Sequence, residues 1–138
     1  MKIYSIQFIL LFLLLSFAKS DKPQFIGKWE AFDLKNYHFV INLREKDNRI
    51  SGDYCAYPKD LSRMDCSTDN SDKCDVFGRR KGDSAYVHFV SCYSGDTGTA
   101  VIAISDQGLK WKTLKNPYID AAATWNGVPD KATLKRIK

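Results

Sequence analysis

Histidine is scarce in this sequence and helical periodicity is missing from it. Among 138 residues there are two histidines, His38 and His88. Each sits inside a strand-like run with apolar neighbours and no serine or cysteine motif around it. A histidine relay for acid, base or nucleophile work therefore has no support. Paired Cys-x-x-Cys spacing is absent, which removes the common zinc signature. The Asp-x-Asp-x-Asp-Gly order of a calcium loop is absent too. Asp60, Asp65, Asp69, Asp72 and Asp75 cluster in one polar stretch and are expected to be a solvated loop. Ser94-Gly95-Asp96-Thr97-Gly98 has glycines, but no phosphate-loop lysine and no helix start follow. It reads as a loop between strands. There is no internal repeat and no low-complexity segment. No enzymatic activity, no cofactor and no metal site is expected.

What is present begins with a leader. Lys2 supplies one positive charge, and Ile9 to Leu15 is unbroken apolar chain. Ala18-Lys19-Ser20 puts small residues at the two positions a signal peptidase reads. The apolar run falls short of the roughly 20 residues that span a bilayer. Residues 1–20 are thus expected to be a secretory signal peptide. Residues 21–138 are expected to form a single exported domain, periplasmic or secreted, with no stable membrane anchor. Of the 21 basic residues, Lys2 and Lys19 belong to the leader, so the remainder stands at +3 against 16 acids. That balance permits an anionic partner and does not indicate nucleic acid.

The remaining sequence alternates in short runs broken by turn residues, the pattern of an all-β domain. Tyr37, Phe39, Ile41 and Leu43 make one apolar face, and His38, Asn42 and Arg44 point the other way. Ile50, Gly52, Tyr54 and Ala56 alternate in the next run, after turn chemistry at Lys46-Asp47-Asn48. Further strands are expected at 25–32, 74–80, 85–93, 99–104, 109–114 and 132–137, with a short one at 63–66. One helical turn is allowed at 119–123. Seven to eight antiparallel strands joined by tight turns leave exposed edges unless the sheet closes. A small up-and-down barrel is expected, with a sandwich as the alternative.

Four cysteines, Cys55, Cys66, Cys74 and Cys92, lie beyond the leader. An even count in a small exported domain reads as two disulfides, and four cysteines allow three pairings. With Lys81-Gly82-Asp83 as a hairpin tip, Cys74 and Cys92 fall nearly opposite each other. Cys55 and Cys66 then clamp the irregular stretch that starts at Pro58. Each short loop closed this way is worth roughly 2–3 kcal/mol in the chain-entropy model.

Aromatic residues stand near strand ends and loops, where one side of the ring is apolar and the other polar. Tyr57, Leu61, Arg63, Met64, Tyr93 and Trp125 are the candidate partner-binding residues. Arg79-Arg80-Lys81 and the C-terminal Lys131, Lys135, Arg136 and Lys138 are read as a solvated charged rim, with one merged positive patch as the alternative if the two ends of the sheet meet.

Gly27-Lys28-Trp29 on the first strand resembles the Gly-x-Trp of the calycin barrels, the lipocalins and avidins. That resemblance implies an arginine of the last strand lying across the tryptophan, and Arg136 stands at the matching place. The second and third lipocalin motifs and the avidin biotin contacts are not found. A looser similarity, in size, leader and cysteine use, is to the bacterial periplasmic lysozyme inhibitors and immunity proteins. The expected function is an exported, non-enzymatic inhibitor or immunity-type protein. Its partner would be another protein, such as a cell-wall hydrolase or toxin. The alternative is a carrier holding a small apolar ligand inside the barrel.

Overall fold

A computed structural model describes residues 24–66, 74–117 and 127–138 of the protein. Within them lie nine strands and no helix: β1 (Gly27–Ala31), β2 (Tyr37–Lys46), β3 (Arg49–Pro58), β4 (Asp65–Cys66), β5 (Asp75–Lys81), β6 (Ser84–Val90), β7 (Thr97–Ser105), β8 (Gly108–Lys115) and β9 (Lys131–Ile137). All pairings are antiparallel. Eight strands close on themselves in sequence order, with β9 returning to β1, and β4 is added on β3. The barrel, and not the sandwich, is the form adopted, because closure pairs both edges of the meander. The expected leader, the helical turn expected at 119–123, Trp125, Asp69 and Asp72 lie outside the described residues.

Alternation decides what is inside. On β2, Phe39, Ile41 and Leu43 are buried; on β3, Ile50, Gly52, Tyr54 and Ala56 are buried. The turn between these strands has positive φ at Asp47 (51°) and Asn48 (60°), the conformation that matches hairpin twist. An eight-stranded barrel has an interior about as wide as its side chains can fill. Four rings fill the middle in a closed circuit. Phe39 meets Trp111 edge-on at 5.0 Å, Trp111 meets Phe89 at 5.4 Å, Phe89 meets Tyr54 at 5.9 Å, and Tyr54 meets Phe39 at 6.2 Å. Gly52 faces this interior where β3 presses on β2. A Cβ there would stand 2.0 Å from the Asn42 carbonyl oxygen, so the strand could not coil this tightly with a side chain.

The first and last strands are fastened by side chains as well as by their ladder. Arg136 lies over the Trp29 ring at 4.5 Å and donates to the Gln24 carbonyl at 2.9 Å. The Trp29 indole N–H donates to the Phe25 carbonyl at 2.9 Å. Gly27 has φ 129°, and a Cβ on it would meet the Arg136 side chain at 3.4 Å. The Gly-x-Trp and arginine pairing thus takes the geometry the calycin resemblance implies.

A buried ion pair seals the same end. Glu45 continues the inward phase of β2, and Arg80 continues that of β5. Arg80 donates to Glu45 Oε1 at 2.7 Å, with both side chains almost wholly buried. Glu45 Oε2 accepts the backbone N–H groups of Gln24 (2.9 Å) and Phe25 (3.2 Å), which holds the chain across the barrel end. Phe25 is fully buried beneath it, with Arg80 5.9 Å from its ring. Arg80 is therefore not part of a surface patch. Lys131 is also separated from Arg79 by three intervening strands, so the alternative of a single merged positive patch does not form.

Burial raises the Glu45 pKa, but the Arg80 hydrogen bond, the two backbone N–H groups and the Arg80 charge outweigh it and hold it below its ordinary 4.5. A lowered folded-state pKa stabilises fully above the unfolded value, and the gain disappears as pH falls through the folded value. Glu45→Gln should cost about 3 kcal/mol in urea unfolding at pH 7, because Arg80 is left buried without its counter-charge. The variant should also lose the part of the stability decline below pH 4.5 that Glu45 contributes. An unchanged midpoint at pH 7 would contradict this role.

Candidate functional site

The opposite end of the barrel carries the longer connections, and one buried carboxyl group organises them. Asp65 is fully buried. Its Oδ2 accepts the Tyr54 hydroxyl at 2.8 Å and the Ser91 hydroxyl at 3.0 Å. Its Oδ1 accepts the Tyr93 backbone N–H at 3.1 Å. Ser91 Oγ in turn accepts the N–H groups of Tyr93 and Ser94, each at 3.1 Å. A polar group taken out of water is tolerated when its hydrogen bonds are made, and here they tie three segments together. Tyr54 belongs to the aromatic circuit, so the core itself holds Asp65. The expectation of a solvated aspartate is corrected at this residue. β4 pairs Asp65 with Ala56, which turns the side chain to the same inner face as Tyr54.

One disulfide lies against this carboxyl, and the other is made by its sequence neighbour Cys66. Cys55–Cys66 and Cys74–Cys92 are the pairs formed, separated by 11 and 18 residues. Cys55 and Cys66 are direct cross-strand partners on β3 and β4. The Cys74 sulfur lies 3.8 Å from Asp65 Oδ1. Asp65, Cys74 and Cys92 come close enough to suggest a metal cage, but both sulfurs are committed to the disulfide.

Between β3 and β4 the chain makes a compact turn. Leu61 N–H donates to the Pro58 carbonyl at 3.0 Å, and Lys59 N–H to the Asn36 carbonyl at 3.0 Å. Ser62 N–H donates to Asp60 Oδ1 at 3.0 Å. That N–H and the Ser62 hydroxyl hold the Asp60 carboxyl below its ordinary pKa. Leu61 adopts φ 56°, a left-handed conformation that a branched side chain takes at a cost of about 1–2 kcal/mol. The turn thus spends backbone energy to expose a leucine to water, and such strain gathers at functional positions. Leu61, Met64 and Tyr93 are 59 %, 52 % and 57 % exposed, among the most open large apolar groups described. Arg63 stands 6.0 Å from the Tyr93 ring centre.

Of the candidate binding residues, Arg63 and Tyr93 are brought together, and Leu61 and Met64 are presented on the same turn. Tyr57 is elsewhere: it sits half-buried on the outer wall of β3, stacked on His38 at 4.9 Å. His38 has Glu30 3.9 Å away, and His88 is stacked on Phe77 at 5.3 Å. The sequence reading missed Asp65 and Ser91 as the supports of the site. The placement of Asp65 beside a cysteine was the available signal.

The chain matches no protein-family model, no curated protein and no solved structure.

Asp65→Ala removes the acceptor of a buried tyrosine hydroxyl and should destabilise the protein by about 2–3 kcal/mol. The turn should loosen beyond that global loss. Trypsin should cut after Arg63 in the oxidised variant far faster than in the parent, with the nick visible by mass after reduction. Equal cleavage rates at matched global stability would show that Asp65 does not hold the turn.

Proposed function

We propose that the protein is an exported, non-enzymatic binder that neutralises another protein, an inhibitor or immunity-type molecule whose loop end docks into a cleft of a cell-wall hydrolase or toxin. The observation that carries this reading is the exposed Leu61, Met64 and Tyr93 surface on a frame held by Asp65 and two disulfides. Tyrosine and arginine dominate the energetics of many interfaces, and methionine is enriched in them. A turn already ordered loses less entropy when it docks. The leader at residues 1–20 and the two disulfides are compatible with an oxidising compartment outside the cytoplasm. A carrier reading finds less support, because Phe39, Tyr54, Phe89 and Trp111 occupy the space where an apolar ligand would sit.

The test is a panel of peptidoglycan hydrolases and cell-wall-directed toxins assayed with the oxidised protein. At least one member should be inhibited at a one-to-one ratio. Deleting Leu61–Met64, or the triple change L61A/M64A/Y93A, should abolish that inhibition while the near-ultraviolet circular dichroism of the barrel persists. Retained inhibition by the folded triple variant would contradict the proposal.

A further inference from the structure

A second surface lies away from the loop end, on the outer wall where β2, β3, β5 and β6 run side by side. It forms an open concavity of about 1230 Å³. The register explains its shape. Arg44, Ser51, Phe77 and His88 are successive cross-strand partners on one row. Ser51 is the small member of that row and gives the floor, with Arg44 on one side and Phe77 on the other. The neighbouring row runs Lys46, Arg49, Arg79, Tyr86, so three cations stand directly opposite one another on three adjacent strands.

Like charges directly opposite across strands destabilise a sheet. Among the described residues no carboxylate lies within 4 Å of Arg44, Lys46, Arg49 or Arg79. Glu45, which also borders the concavity, is already paired with Arg80. Asp47 in the β2–β3 turn is the other acid there, and Asp53 opposite Asp75 bounds the field on the side towards the loop end. The wall thus keeps an unneutralised cationic row at a cost to the sheet, a conflict of the kind found at functional sites. Beside it is an aromatic group left open to water: Phe77 and Tyr86 are each 47 % exposed.

The aromatic arrangement selects the ligand class. Phe77 and His88 are stacked at 5.3 Å and 15°, and Tyr86 meets His88 edge-on at 5.3 Å. The three rings are one packed unit with no room for a base between them. Single-stranded nucleic acid is held on separate platforms that take successive bases. A sugar ring needs one apolar face, and anionic substituents need planar guanidinium forks around it. Two strand spacings, about 10 Å, separate Lys46 from Arg79, a span comparable to one disaccharide.

We propose that this wall binds a linear anionic polysaccharide, with a sugar ring over Ser51 against Phe77 and its sulfate or carboxylate groups on Arg44, Arg49 and Arg79. The site is independent of the loop end.

The test uses a heparin octasaccharide as probe, titrated into the oxidised protein by calorimetry at low and at physiological salt. Binding should weaken with salt, as exposed charge pairs do. R44Q/R49Q/R79Q should lower affinity by about tenfold or more, the scale of losing charge-assisted contacts. F77A should lower affinity severalfold and leave the salt dependence intact. L61A/M64A/Y93A should bind the probe as the parent does, which separates this site from the inhibitor surface. Absence of heparin binding, or unchanged binding by the folded triple arginine variant, would overturn the proposal. So would equal affinity for an oligodeoxythymidine of matched charge, which would point to nucleic acid instead.

Discussion

The hydrogen bonds to the buried carboxyl of Asp65 join parts of the molecule that nothing else joins so directly. One oxygen takes the hydroxyl of Tyr54 from the middle of the core. The same oxygen takes Ser91, and the other takes the backbone of Tyr93, from the connection that follows β6. Asp65 itself begins the two-residue strand that closes the Cys55–Cys66 turn. Without it, the turn would be fastened to the barrel by a disulfide, a two-residue ladder and the Lys59 N–H bond to the Asn36 carbonyl. With it, the exposed Leu61, Met64 and Tyr93 are fixed relative to a rigid core. A polar group this deeply buried is tolerable only because donors converge on it, and that convergence gives the surface one shape.

The two ends of the barrel are built on different principles. At the hairpin end the connections are tight, and a Glu45–Arg80 pair with the Trp29–Arg136 stack seals the chain's entry. Phe25 is buried there, and Ile26 beside it is the large apolar group left open. At the loop end the connections are longer and display their apolar residues. Between them the aromatic circuit fills the interior. A small barrel with a filled interior leaves its loops and its outer wall as the surfaces open to other molecules, and the two proposed sites lie there. The loop end is apolar with one arginine, and the wall of β2, β3, β5 and β6 is cationic and aromatic.

Strand positions were readable because the period of two was clean and the turns carried turn residues. Each expected strand lies within about three residues of an observed one, the typical boundary error of such readings. Both disulfide pairings followed from the hairpin at Lys81-Gly82-Asp83. Gly27, Trp29 and Arg136 could be matched to one another because they lie at the two chain ends that a closed barrel must bring together. Asp65 was hidden for a physical reason: a two-residue strand has no period to show which side chain turns inward. Glu45 and Arg80 were half visible. Glu45 lies one step past the apolar face that runs from Tyr37 to Leu43, and Arg80 was read with its basic neighbours as surface charge. Reading them as a pair required the register of β2, β3 and β5, in which Glu45 pairs with Ile50 and Ile50 with Gly78, two residues before Arg80. The wall site was hidden in the same way, since its cationic row exists only once strands are aligned.

Native-state hydrogen exchange at the Tyr93 amide tests the central claim most directly. That N–H is bound to Asp65 and Ser91 at the very surface proposed for docking. If the loop end is a rigid part of the barrel, this amide should exchange only through global opening, with the same protection and denaturant dependence as the amides of β6 and β7. Exchange through a low-energy local opening, independent of denaturant and far faster than in those strands, would show that the loop end is not held, and the account of a preordered docking surface would fall.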